Sequence, residues 1–128
     1  MKYIIMAALT AMTLQVAGAQ EYRYNPEHRR PIEATMQDLH QVAERHHYEG
    51  RDRERIENAE RHLHQFAERL HEGGGFDKDK LDQAIEDVQN VVDNNRMGPE
   101  GHERLQRDAN ELRRLRQRYD DRNYRYGR

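Results

Sequence analysis

FDKDKLDQAIEDVQNVVDNN (residues 76–95), the turn Arg96-Met97-Gly98-Pro99, and EGHERLQRDANELRRLRQRY (residues 100–119) decide the reading of the fold. In the first segment Leu81, Ala84, Ile85, Val88 and Val92 fall on one face of a 3.6-residue period, and Val91 widens it. Asp77 is placed to cap that helix, and Phe76 before it can staple onto Leu81. Asn94-Asn95 are expected to end it in left-handed geometry. Pro99 suits the first position of the next helix, whose stripe is Leu105, Ala109, Leu112, Leu115 and Tyr119. The first segment is rich in Asp and the second in Arg, so an antiparallel pair brings opposite charges together, each exposed pair adding only about 0–1 kcal/mol.

The preceding stretch repeats this hairpin. A shift of 49 positions lays Ile32 on Leu81, Asp38 on Asp87, Leu39 on Val88 and Val42 on Val91. It also lays Ile56 on Leu105, Leu63 on Leu112, Phe66 on Leu115 and Leu70 on Tyr119. The expected fold class is therefore all-α: two tandem antiparallel helical hairpins, packed as a small four-helix bundle.

Working outward, Gly73-Gly74-Gly75 reads as a hinge between hairpin 31–72 and hairpin 76–119. The first helix is expected to open at Pro31, because proline disfavours helical geometry at Arg30, and to carry Ile32, Met36, Leu39 and Ala43. Residues 20–30 then read as an extended arm. The second helix is expected to be capped by Asp52, with Ile56, Ala59, Leu63, Phe66 and Leu70 as a narrow, coiled-coil-like seam. Residues 120–128, DDRNYRYGR, read as a disordered Arg/Tyr tail.

Residues 1–19 carry the three parts of a secretory signal peptide. Lys2 is the positive start, Tyr3 to Val16 is mostly apolar, and Ala17-Gly18-Ala19 is a small-residue cleavage site, so cleavage is expected after Ala19. A membrane helix needs about 20 apolar residues, and Thr10, Thr13 and Gln15 interrupt this run. The expected location is periplasmic or secreted. The absence of cysteine excludes a lipid-anchored lipoprotein, a disulfide framework and a thiolate metal site. It fits a bacterial periplasm better than the small disulfide-stapled scaffolds. From Gln20 onward the balance is mildly acidic, which argues against a nucleic-acid binder. Large apolar residues are few there, so the domain is marginal alone and gains from self-association or a partner.

Catalysis finds little support. The chain contains no serine, and hydroxyl nucleophiles beyond residue 19 reduce to Thr35 and the tyrosines. No cofactor motif is present. Histidine offers the one candidate for ligand chemistry, since His40, Glu44 and His47 at i, i+4 and i+7 would share a helix face and could supply three metal ligands. Against this, histidines standing among Arg, Glu and Gln on a wet helix surface need no metal. The Glu-x-x-His pairs Glu44/His47 and Glu68/His71 lie at opposite ends of a hairpin and cannot share a di-iron centre. Arg113, Arg114, Arg116 and Arg118, followed by a Tyr/Arg end, are candidates for weak contact with an anionic surface, though interleaved Asp and Glu make a solvated face the plainer reading.

In its exported, all-helical, cysteine-free form the chain resembles small periplasmic helical-hairpin chaperones of the Spy/CpxP type. Their Leu-Thr-x-x-Gln motifs do not occur beyond residue 19, so the resemblance implies a chaperone-like stress role only as an alternative. The leading expectation is a non-enzymatic, exported module that binds a protein partner or itself. A metal-binding or buffering protein using surface histidines is the second.

Overall fold

The structure, a computed structural model, describes residues 26–126, with side chains from His28 to Arg122. Four helices follow one another: α1 (Pro26–His46), α2 (Gly50–His71), α3 (Lys78–Asn94) and α4 (Pro99–Tyr126). Each packs on its neighbour in sequence, and α1 closes the ring against α4, giving an up-down-up-down four-helix bundle. The α2–α3 interface is the most extensive, so the central pair is as much the body of the fold as either hairpin. Among the described residues there is no strand, and no helix is long and apolar enough to cross a membrane.

The apolar stripes converge on one core. Ile32, Leu39 and Val42 of α1 meet Ile56, Ala59, Leu63, Phe66 and Leu70 of α2, and both face the stripes of α3 and α4. Thr35 is fully buried in α1, where Met36 and Ala43 are only partly so. Its hydroxyl donates to the Pro31 carbonyl at 2.7 Å, so this buried side chain is satisfied within its own helix.

The two ends of the bundle are closed differently. At one end the α1–α2 turn (residues 47–49) meets the α3–α4 turn (residues 95–98), its counterpart in the repeat. Tyr48 donates from its hydroxyl to the Arg96 carbonyl. Buried Asn95 donates to the Asp52 carbonyl at 2.9 Å and accepts from Arg55 at 3.2 Å, and Arg55 also pairs with Asp52 at 2.6 Å. At the other end Phe76 stacks on Tyr119 at 4.1 Å and meets the edges of Phe66 at 5.0 Å and His28 at 5.6 Å. One aromatic in the α2–α3 loop thus ties together α1, α2 and α4.

Several local expectations need correction. Helix α1 begins at Pro26, so residues 26–30 are helical and not an extended arm, and Pro31 lies inside the helix. Only one turn precedes Pro31, so the lost backbone bond is close to the end, and the contact of His28 with Phe76 holds that turn down. Helix α2 begins at Gly50 after Glu49, while Asp52 sits in its first turn and pairs with Arg55. Asn95 is extended (φ −88°, ψ 142°), because its side chain is drawn into the polar cluster described above. Residues 120–126 continue α4, with Arg116–Asp120 and Gln117–Asp121 contacts supporting the added turns. Residues 1–25, which carry the signal reading and most of the arm, and residues 127–128 lie outside the described residues.

The glycine triplet is a helix stop. Gly73 takes φ +81° just past α2, its N–H donates to the Leu70 carbonyl at 3.3 Å, and the Gly74 N–H donates to the Arg69 carbonyl at 2.8 Å. That is the paired-bond Schellman closure, which needs a left-handed residue at the position of Gly73. Asp77 caps α3 as its sequence predicts, accepting from the Lys80 N–H at 3.1 Å.

Candidate functional site

The histidine set is the first place to look. His40 Nε2 lies 3.1 Å from Glu44 Oε1, and both side chains are well exposed. His47 leaves the helix with φ +46°, so it no longer shares the register of the other two. It lines the shallow groove between α1 and α2 that His40 and Glu60 also reach. His64 pairs with Glu68 at 3.1 Å. Among the described residues no group of three or more His, Asp or Glu side chains is arranged to hold a metal ion.

The arginine set is dispersed around α4. Arg113 donates to Gln89 of α3 at 2.9 Å and to Asn110 at 3.2 Å. Arg116 pairs with Asp82 of α3 at 2.9 Å and also with Asp120. Arg114 pairs with Glu111 at 2.6 Å, and Arg118 lines the groove on the other side, between α1 and α4. The four side chains therefore belong to two faces. Of the charge pairing expected between α3 and α4, Arg116–Asp82 is the ion pair that forms; the rest of that interface is built from the Gln89–Gln106 amide pair and Arg113.

Two interhelical seams hold the ionisable groups that are withdrawn from solvent. In the α2–α3 seam His62 Nδ1 contacts Asp87, each side chain about one-fifth exposed. In the α1–α4 seam Asp108 is 7% exposed and lines one groove with Asp38 of the facing helix. Its Oδ2 atom finds no hydrogen-bond partner among the described residues. Burial foremost, then the facing Asp38, raises the Asp108 carboxyl to about 8. Arg107 opposes that rise and Glu111 adds to it. Arg30, Arg107, Glu111 and Arg118 line the groove above the pair.

The two seams are counterparts. The 49-residue repeat carries α1 onto α3 and α2 onto α4, so Asp38 corresponds to Asp87, Glu111 to His62, and Asp108 to Ala59. One seam thus holds an acid facing a base over a buried alanine, and the other holds three acids. Sequence reading missed Asp108 because it took the residue for one of several acids interleaved among arginines. The signal was present: the repeat places Asp108 on Ala59, a position of the buried α2 seam.

Elsewhere the buried ionisable groups have structural roles. Burial, then the charge of Asp52, raises the Tyr48 phenol, so it remains a donor to the Arg96 carbonyl. No described cavity combines a nucleophile, a base and a donor for a developing anion, the minimum constellation for acyl or phosphoryl transfer. No family model, no curated protein and no solved structure matches the chain.

Proposed function

We propose that this chain is an exported, non-enzymatic helical protein that binds a protein partner through its charged outer faces. One observation carries the reading: the apolar stripes of all four helices are spent on one another, while the exterior is a dense field of Arg, Asp, Glu and His. The partner therefore meets charge first, and the α1–α4 groove is the most structured part of that exterior. Among the described residues the closed bundle offers little apolar surface for the self-association through apolar seams that the sequence left open. The same closure favours a charged contact over a chaperone that holds clients on apolar surface. Metal binding finds no support in the exposed His40–Glu44 pair, since His47 stands outside its register.

The test is site-specific photo-crosslinking in the native host. A crosslinking residue at Arg118, in the α1–α4 groove, is expected to give a discrete adduct with another protein. The same residue at exposed Glu54 of α2, which lines neither this groove nor the α1–α2 groove, serves as control. Adducts equally abundant at both positions, or at neither, would remove the reading.

A further inference from the structure

We propose that the α1–α4 seam is a proton-operated latch, in which a proton held on buried Asp108, across the groove from Asp38, keeps the bundle closed and its loss to solvent loosens α1 from α4. The latch depends on the bundle alone and not on the identity of any partner.

The geometry comes first. Asp108 occupies a position that the repeat fills with buried Ala59 in the sister seam, and it is 7% exposed. A carboxylate there is both desolvated and opposed by Asp38, and neither charge is easily removed except by a proton. The sister seam solves the same problem differently: Asp87 has His62. In the α1–α4 seam the residue corresponding to His62 is Glu111, a third acid, so the protonated state is what makes the packing tolerable.

The surrounding charges decide how firmly the latch holds. From α1 the groove receives Arg30 and Asp38; from α4 it receives Arg107, Glu111 and Arg118. Glu111 is drawn to Arg114 at 2.6 Å, and Arg107 lowers the proton affinity of Asp108 without overcoming burial. Neither α2 nor α3 contributes an ionisable side chain to this groove. The element that moves is α1, because its other interface, with α2, is the least extensive in the bundle. Loosening α1 uncovers Ile32, Leu39 and Val42, an apolar stripe that a partner helix could cover.

The chain has no cysteine, so two introduced ones report on the seam without interference. Spin labels at exposed Gln37 of α1 and exposed Gln117 of α4 give the distance distribution at about pH 5 and about pH 9.5. The expected result is a narrow distribution at the lower pH and a broader, longer one at the higher. Asp108→Asn, which keeps the shape and removes the charge, should stay narrow at both. A wild-type distribution unchanged between the two pH values would overturn the latch, as would an Asp108→Asn protein that broadens like the wild type. Carboxyl-carbon NMR of the unsubstituted chain supplies a check that needs no variant. Asp108 is expected to titrate several units above an ordinary aspartate, and titration near 4 would end the proposal.

Discussion

At the scale of single residues, two positions are held in states that their chemistry resists. Asp108 is the first. Burial and the facing Asp38 raise its folded-state pKa to about 8, far above the ordinary aspartate value, so the folded chain binds the proton more tightly than the unfolded one. The stability this gives is fully present below the unfolded value and is lost as pH rises through the folded value. Denaturant midpoints of wild type and Asp108→Asn, compared between about pH 5 and about pH 9.5, should therefore diverge. The wild type loses at least about tenfold in its folding constant relative to the variant, as a shift of even one unit requires. Parallel profiles would show that Asp108 ionises freely. His47 is the second, with φ +46° where a side chain costs about 1–2 kcal/mol and glycine nearly nothing. His47→Gly is expected to raise stability by about 1 kcal/mol in a urea melt. A loss of stability instead would mean that the imidazole makes a contact worth more than the strain.

At the scale of elements, the stops and starts divide into those written locally and those imposed by packing. Asp77 and Pro99 are local: each sits at its helix start for a backbone reason that the sequence states directly. Gly73 is also local, but a run of three glycines reads as slack when only the sequence is in view. What makes it a stop is the pair of bonds back to Leu70 and Arg69, and those exist only once α2 has formed. Gly73→Ala is expected to cost about 1–2 kcal/mol, the penalty of a Cβ in left-handed backbone, whereas a slack linker would tolerate it. The first turn of α1 was not legible because a contact distant in sequence holds it, and the end of α4, carried by the local Arg116–Asp120 and Gln117–Asp121 pairs, was hidden in a polar run. His28 rests on Phe76, and Phe76 lies flat against Tyr119. Phe76→Ala should therefore cost about 2–4 kcal/mol, more than its partial burial alone implies, since it removes the shared contact of three helices. Hydrogen exchange would locate the damage: early opening in the first turn of α1 and around Tyr119, with the turn end at Tyr48 unaffected. Uniform loss of protection would assign Phe76 to the general core instead. The candidate metal set illustrates the converse limit, because the i, i+4, i+7 spacing of His40, Glu44 and His47 is helical arithmetic, and the helix ends one residue before His47.

At the scale of the whole molecule, the repeat determines the architecture and the departures from it determine where the bundle is weak. Both copies supply apolar stripes, though α1 buries only Ile32, Leu39 and Val42 where its counterpart α3 buries six apolar residues; the four helices close into one core and the two turns of the repeat meet at one end. A closed core changes what self-association would need. If the apolar stripes were shared between chains, mass action would raise the melting midpoint with concentration. With the stripes already buried within one chain, the midpoint should be the same at concentrations about a hundredfold apart. A clear rise would mean that the stripes exchange between copies, and the α1–α4 seam would then be the place to look for the exchange. The same asymmetry predicts an order of opening. The α2–α3 interface is the most extensive, and α1 is held by the weakest interface together with a seam of three acids. Native-state hydrogen exchange should therefore show α2 and α3 protected up to the global unfolding free energy and α1 opening below it. The gap between them should widen as pH rises, because deprotonation acts on the seam that closes α1 and leaves the Asp87–His62 seam with an acid facing a base. Equal protection of α1 and α3 across the pH range would mean that the bundle opens as one unit, in which case the departure at Asp108 is absorbed without mechanical consequence.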